Sequence, residues 1–274
     1  MQVKKIILFY KQSLEDSPYL KLICEILKSE KIDYILQKNT NTIQKFDLEN
    51  IDLVISVGGD GNLISACRML AKTNIPVLGV HCGNLGFLTE VELCNLKDFL
   101  LDIKNNNYKI ERPFLLSIFI YLNNGQVIQR YAFNDAVLNR EEHLLLADIK
   151  ASFKDKIFNS YHADGLIIST PAGSTAYNLS AGGGIIYPQS RVFSLTPICS
   201  HSLTQRPIIL PKSFFIELSS KNCSLSIDGQ ELFKANEFYK ISCGLSKTRA
   251  NILRAKNRSY FQVLKDKLNW GEND

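Results

Sequence analysis

No cysteine of this chain sits in a CxxC pair, and the cysteines are seven, an odd number that cannot all pair within one polypeptide. A fully disulfide-bonded framework is therefore excluded, and free thiols of the kind kept in the cytoplasm are the simplest state. Long apolar runs are missing too. The opening MQVKKIILFY offers only a short apolar stretch before Lys11, too brief for a signal-peptide core or a membrane span. The expected location is cytoplasmic, with no membrane partner. There is no Walker-type GxxxxGK[ST] and no dinucleotide GxGxxG. Nor is there an aromatic-interleaved basic stripe, so nucleic acid is not an expected partner. His81, His143 and His201 show no metal-ligand spacing and read as structural. Repeats and low-complexity segments are absent.

What remains is an ordinary globular composition: 274 residues, 45% hydrophobic and 22% charged, enough for two modest domains or one large one. The net charge of +5 gathers near the C-terminus in Lys247, Arg249, Arg254, Lys256 and Arg258. This run reads first as a solvated face and second as a contact for an anionic ligand.

In the first hundred residues, apolar strand-like runs alternate with amphipathic helices. Ile6 to Tyr10, Tyr34 to Leu36, Ile51 to Val57 and Pro76 to His81 read as strands. Ser17-Pro18 caps a helix with Leu20, Ile23, Cys24 and Leu27 on one face, and Leu93, Leu96, Leu100 and Ile103 mark another. This alternation predicts a Rossmann-type α/β domain over residues 1–108, ending at the polar cluster Asn105-Asn106-Asn107. Beyond Arg112 the period becomes strand-like, with Pro113 to Leu122, Val127 to Leu138 and further short strands as far as Ala250 to Leu253. Residues 109–253 are thus expected to form an all-β domain. The amphipathic Ser259 to Asn269, within 254–274, is expected to pack back on the first domain.

The α/β half is organised around IDLVISVGGDGNLISACRML, from Ile51 to Leu70. A strand apolar on both faces leads into Gly58, Gly59 and Gly61, whose missing side chains let backbone N–H groups lie against a bulky anion. Leu63, Ala66, Cys67 and Leu70 then share a helical face, so a helix is expected just beyond the glycines with its positive dipole end toward them. Asp60 stands inside this phosphate loop. A carboxylate among phosphates is repulsive unless a metal ion or an accepted proton offsets it. A plain Asp-Gly turn is the alternative.

In the second half, HADGLIISTPAGSTAYNLSAGGGIIYP (His162 to Pro188) is rich in small and hydroxylic residues, with Tyr177 as one aromatic face. Such a segment suits a ribose or amide, and a tyrosine can stack on a base. Phe133-Asn134-Asp135 places a donor–acceptor amide and a carboxylate at the end of an apolar run, suited to adenine and ribose. Alone, Asn-Asp is more often a turn. Asp164, His162 and Asp228-Gly229-Gln230 also read as turn or structural residues when taken singly.

Taken together, GGDGN (Gly58 to Asn62), NLGFLTE (Asn84 to Glu90), FNDAVL (Phe133 to Leu138) and DGLIISTPAGSTAYNLSAGG (Asp164 to Gly183) resemble the NAD kinase family. PICSHSLTQRPIIL (Pro197 to Leu210) and IDGQ (Ile227 to Gln230) follow in the family's order. The resemblance covers most of the chain. It implies the NAD kinase-like fold, an N-terminal Rossmann-like α/β domain followed by an all-β domain. It also implies transfer of the terminal phosphoryl of ATP, or of polyphosphate in some members, to the 2′-hydroxyl of the adenosine ribose of NAD, giving NADP. Gly58, Gly59, Asp60, Gly61 and Asn62 then match the phosphate loop, with Asp60 as proton acceptor. Asn134, Asp135, Asp164, Ala172, Thr175, Ala176, Tyr177, Asn178, Leu179, Ser180 and Gln230 match NAD contacts, as do Asp60 and Gly61. His162 falls where the family often has Arg or Lys, and Leu145 falls at a contact position whose hydrogen bond it cannot make. Magnesium is implied mainly through the phosphates rather than through protein ligands, and a homo-oligomer, dimer or tetramer, is implied as well. The GGDG loop alone is shared with lipid kinases and is close to a phosphofructokinase motif, so a lipid or sugar kinase stays open at this point. So does a dinucleotide-binding regulator without catalysis.

Overall fold

The computed structural model describes residues 1–40, 47–83, 86–89, 91–141, 145–269 and 271. His143, and Asn84, Leu85 and Glu90 of the NLGFLTE motif, lie outside the described residues. The chain forms two compact units, Met1–Glu111 with Asn251–Asp274, and Arg112–Ala250.

The first unit begins with β1 (Lys5–Lys11), α1 (Pro18–Ser29), β2 (Asp33–Asn39), β3 (Leu53–Val57), α2 (Asp60–Met69) and β4 (Val77–His81). It continues with β5 (Val91–Glu92), α3 (Leu96–Lys104) and β6 (Tyr108–Glu111). Ser17 caps α1, its hydroxyl accepting from the Leu20 N–H at 3.2 Å, with Pro18 in the first turn. Leu20, Ile23 and Leu27 of α1 are buried, as are Leu96, Phe99, Leu100 and Ile103 of α3, so each helix lays its apolar stripe on the sheet. β2, β1, β3 and β4 lie parallel in that order. After β1 the chain adds β2 on one side and then β3 on the other. The crevice between β1 and β3, at their C-terminal ends, is where sheets of this kind take ligands.

The second unit holds β7 (Phe114–Leu122), β8 (Val127–Ala132), β9 (Asp135–Arg140), β10 (Ala147–Phe153), β11 (Lys156–Ala163) and β12 (Gly165–Ser169). These are followed by α4 (Tyr177–Ser180), β13 (Val192–Ile198), β14 (Ile208–Pro211), β15 (Ile216–Ser219), β16 (Cys223–Ile227), β17 (Glu231–Phe233) and β18 (Phe238–Arg249). Two antiparallel six-stranded sheets result, ordered β11-β10-β15-β18-β7-β8 and β14-β13-β12-β9-β16-β17. Leu116, Ile118, Ile149 and Ile241 of the first share one core with Leu138, Leu166, Phe193 and Leu225 of the second. The expected all-β domain is present, built as two sheets packed face to face.

Two details differ from expectation. Val127 to Leu138 is not one strand: it breaks at Phe133-Asn134 into β8 and β9, which belong to different sheets. β13, a strand that the sequence reading did not pick out, pairs β12 from Gly165↔Ile198 to Ser169↔Ser194 with Pro197 inside it.

The chain ends with β19 (Ile252–Ala255) and α5 (Tyr260–Leu268) in the first unit. β19 pairs β4 in parallel and β6 antiparallel, giving a seven-stranded sheet. Ala250 to Leu253 had read as another strand of the all-β half. Apolar alternation tells that a strand has a buried face but not which sheet it joins, and the Val77 N–H bond to the Asn251 carbonyl at 2.8 Å decides it. All seven cysteines are free thiols, and burial pushes the Cys243 thiol up to about 12, which makes it inert.

Candidate functional site

The GGDG stretch sits where β3 meets α2. The helix starts two residues earlier than its glycines suggest, since Gly59 is the cap and Asp60 opens the first turn, with Asn62 N–H bonded to the Gly59 carbonyl at 3.0 Å. Asn62 is buried and its amide is committed. It donates to the Phe9 carbonyl (3.0 Å) and the Ser56 hydroxyl (2.8 Å) and accepts from Asn39 (2.8 Å). Asn62 therefore pins the ends of β1 and β3 at the ligand crevice rather than offering its side chain to a phosphate.

Asp60 is held by a neighbouring turn. Its Oδ2 accepts from the Phe87 N–H at 2.7 Å. Its Oδ1 accepts from the Leu88 N–H (3.1 Å), the Thr89 N–H (2.9 Å) and the Thr89 hydroxyl (3.1 Å). A carboxylate has about four acceptor positions, two per oxygen, so among the described residues Oδ2 keeps one open. Gly86 makes this approach possible, because a β-carbon there would lie 1.9 Å from Oδ1. His81, at the end of β4, is buried with Nδ1 on the Gly83 carbonyl at 2.7 Å, and its Nε2 has no partner among the described residues.

The carbonyl side of the same turn meets the C-terminal basic run. Arg258 Nη2 donates to the Phe87 carbonyl at 2.6 Å and Arg254 Nη1 donates to that of Leu88. Both guanidinia also reach Glu111 Oε2, at 3.4 and 3.2 Å. Arg254 is only 2% exposed. A solvated face was expected for this run, and for Arg254 the expectation fails: it is a buried ion-paired side chain, which no count of basic residues along a sequence reveals.

In the second unit the Asn134 and Asp135 pair opens β9, beside the ends of β12 and β16, in the register Ser169↔Asp135 and Ile227↔Ala136. The strand break there has a definite cause. The Asp228 carboxylate accepts from the N–H groups of Phe133 (2.7 Å), Asn134 (2.7 Å) and Asp135 (3.0 Å), taking donors that a continuous strand would have given to its ladder. Asp228 and Gly229 both have positive φ, 51° and 62°, and the Gln230 N–H closes onto the Ile227 carbonyl at 2.9 Å, so this is the tight hairpin turn expected. What sequence reasoning missed is that its aspartate organises another loop. An Asp-Gly turn has no signal for where its side chain points.

Asn134 is half-buried, and its side-chain amide bonds no described residue. Asp135 is buried, and burial, with the Asp228 carboxylate adding to it, pushes its carboxyl up to about 7. Near neutral pH this group is partly protonated, able to donate a hydrogen bond as well as accept one.

Residues 170–180 pack against the same sheet end. Thr170 donates to the Phe133 carbonyl at 2.6 Å, and its N–H bonds the Asn134 carbonyl at 2.8 Å. Ala172, Thr175, Ala176 and Leu179 are half-buried, Ser180 is exposed, and the Tyr177 ring is 45% exposed and available for stacking. Asn178 differs from its neighbours. It is 0% exposed, donating to the carbonyls of Ser174 and Gly184 and accepting from the hydroxyls of Ser194 and Thr196. Its amide is saturated and braces the segment from below. Gln230 lies on the Asp228 turn at this end as well.

Asp164 and His162 are not brought to this place. Asp164 precedes β12, at the end opposite Ser169, a span of about 16 Å along the strand. It pairs with Arg140 at 3.0 Å, while His162 is exposed and 3.9 Å from Asp148. Leu145 is exposed.

Residues 10–108 match the family of ATP-NAD kinase N-terminal domains and residues 133–255 that of ATP-NAD kinase C-terminal domains. An NAD kinase of Campylobacter jejuni subsp. jejuni is 46% identical over 98% of this chain and 96% of its own length. The chain belongs to the NAD kinase family. Other members of the family stand at similar distances: the NAD kinase of Campylobacter lari is 44% identical over 99% of this chain and 97% of its own, and that of Helicobacter acinonychis is 39% identical over 91% and 87%. The NAD kinase fold is also seen in the crystal structure of yeast NADH kinase complexed with NADH, at TM-score 0.85 and 21% identity over 100% of this chain and 90% of that one. An Archaeoglobus fulgidus NAD kinase in complex with ATP superposes at TM-score 0.77 and 24% identity, over 97% and 98%. At such identities the likeness is one of fold.

Proposed function

We infer that this chain is an NAD kinase that moves the terminal phosphoryl of ATP to the 2′-hydroxyl of the adenosine ribose of NAD, forming NADP. The near-full-length identity to NAD kinases carries the reading, and Asp60 supplies its agent. Phosphoryl transfer passes through a loose transition state, so alignment and charge neutralisation supply most of the acceleration and the proton leaves late. Asp60 orients the acceptor hydroxyl on the free acceptor position of Oδ2 and receives the proton as the bond to phosphorus forms. Within the second unit, the Asn134 amide, the Asp135 carboxyl and the Tyr177 ring are the groups that suit recognition of NAD, with Gln230 and the backbone of 172–180 beside them.

Among the described residues no three His, Cys, Asp or Glu side chains converge as a metal site. Magnesium enters with the donor substrate, as the magnesium complex of ATP.

A homo-oligomer, dimer or tetramer, accompanies this reading. The outermost strands of both sheets in the second unit carry exposed apolar side chains: Val127 on β8, Ile157 and Phe158 on β11, Ile208 and Ile209 on β14, and Leu232 on β17. Edges of this kind call for cover, and a mass measurement that returned a monomer would remove the oligomer. No helix among the described residues is long and apolar enough to cross a membrane. The cytoplasmic placement rests on the scattered unpaired thiols.

A coupled assay for NADP from NAD, ATP and magnesium tests the activity, with polyphosphate as alternative donor and diacylglycerol or fructose 6-phosphate as alternative acceptors. NADP formation is expected, and its absence with every donor overturns the reading.

A further inference from the structure

We propose that Arg258 and Arg254 are positioning residues for the phosphoryl transfer, gripping the carbonyl side of the Phe87–Thr89 turn whose amide side grips Asp60. The proposal rests on the assignment of Asp60 to the acceptor hydroxyl. Two peptide planes carry it. The Phe87 carbonyl and the Leu88 N–H belong to one planar amide, and the Leu88 carbonyl and the Thr89 N–H to the next. In the first, Arg258 holds the oxygen at 2.6 Å and Asp60 Oδ1 takes the N–H at 3.1 Å. In the second, Arg254 holds the oxygen and the same Oδ1 takes the N–H at 2.9 Å. A trans amide points its C=O and N–H in opposite directions, so each guanidinium is tied to the carboxylate through one rigid unit. Charged donors at the oxygen also polarise the N–H at the other end and strengthen its bond.

Both amides converge on Oδ1 and leave Oδ2 with its spare acceptor position, which fixes the direction in which Asp60 meets a hydroxyl. The guanidinia are themselves fixed. Glu111 Oε2 accepts from both, and Lys109 Nζ donates to the Arg258 carbonyl at 2.8 Å. β6 and β19 thus act on α2 through one turn, although neither touches Asp60 directly.

The test combines steady-state kinetics with amide exchange at Leu88 and Thr89 in Arg258→Gln, Asp60→Asn and the double variant, with Arg254→Lys as a milder change that keeps the charge beside Glu111. Arg258→Gln and Arg254→Lys are expected to speed exchange at these amides and to lower kcat by about tenfold or more, with KM for ATP nearly unchanged. The double variant is expected to be no slower than Asp60→Asn alone, because both changes act on one carboxylate. Normal kcat in both arginine variants, unchanged exchange, or losses that multiply in the double variant would each overturn the proposal while leaving Asp60 its role. Normal turnover of Asp60→Asn overturns the role of Asp60 and the proposal with it.

Discussion

Asp135→Asn should stabilise the folded protein above pH 7 and change little at pH 4. The Asp135 carboxyl rises from 3.8 to about 7 on folding, through burial first and Asp228 second. A carboxyl raised in this way binds its proton more tightly folded than unfolded, so wild-type stability is fully present below about pH 4. It is lost progressively until the pH passes the folded value near 7. Three units at about 1.4 kcal/mol each give a penalty of about 4 kcal/mol once Asp135 is ionised. Asparagine has nearly the same shape and never ionises, so the variant escapes the penalty. Urea or thermal denaturation of both proteins from pH 4 to 8.5 reads the difference, which should open across that range and correspond to a rise in Tm of roughly 10 °C at the alkaline end. A stability gap of constant size at pH 4.5 and pH 8.5 would show that Asp135 is not a strained buried acid.

Asp60→Asn should leave the dissociation constant for NAD nearly unaltered and cut turnover by about two orders of magnitude or more; turnover at the wild-type rate removes Asp60 from the chemistry. Asn134→Ala should weaken NAD binding by about tenfold, the loss of one or two hydrogen bonds, and calorimetry showing an unchanged affinity would leave that amide as part of a turn. Gly173→Ala places a β-carbon 2.2 Å from the Asn134 carbonyl oxygen. Because that oxygen belongs to backbone, a loss of about 1–3 kcal/mol in stability is expected, and a wild-type Tm would mean that the 170–180 segment can lift away freely.

Much of the first unit is readable from residue order because its signals are local. Ser17 before Pro18 predicts a helix start, and the hydroxyl is found on the Leu20 N–H. LVISV predicts a strand covered on both faces, and all of β3 is buried. GGDG at a strand end predicts a helix N-terminus. Elsewhere the reading slipped: α2 starts at Asp60 rather than beyond Gly61, and β13 was not picked out.

The side chains of the candidate site divide differently. Asn62 and Asn178 lie in motifs that the resemblance assigns to ligand contacts, yet both are buried with their amides saturated. Sequence spacing cannot distinguish an amide that faces a ligand from one that braces the loop beneath it, since both need the same residue at the same place. Asp164 and Asn134 read as members of one set, and antiparallel pairing of β9 with β12 sets them at opposite strand ends.

Sequence alone determined most of the strands and helices, that the chain has an α/β part and a β part, and which family it resembles, because each of these depends on residues close together or on a long ordered motif. Only tertiary structure decided that Asp228 breaks a strand nearly a hundred positions away, that Asp135 is buried beside the Asp228 carboxylate, which raises its carboxyl, and that Arg254 is buried against Glu111 and the Leu88 carbonyl. Those outcomes depend on which groups lose water together, and desolvation is a property of the packed molecule that no single stretch of chain contains.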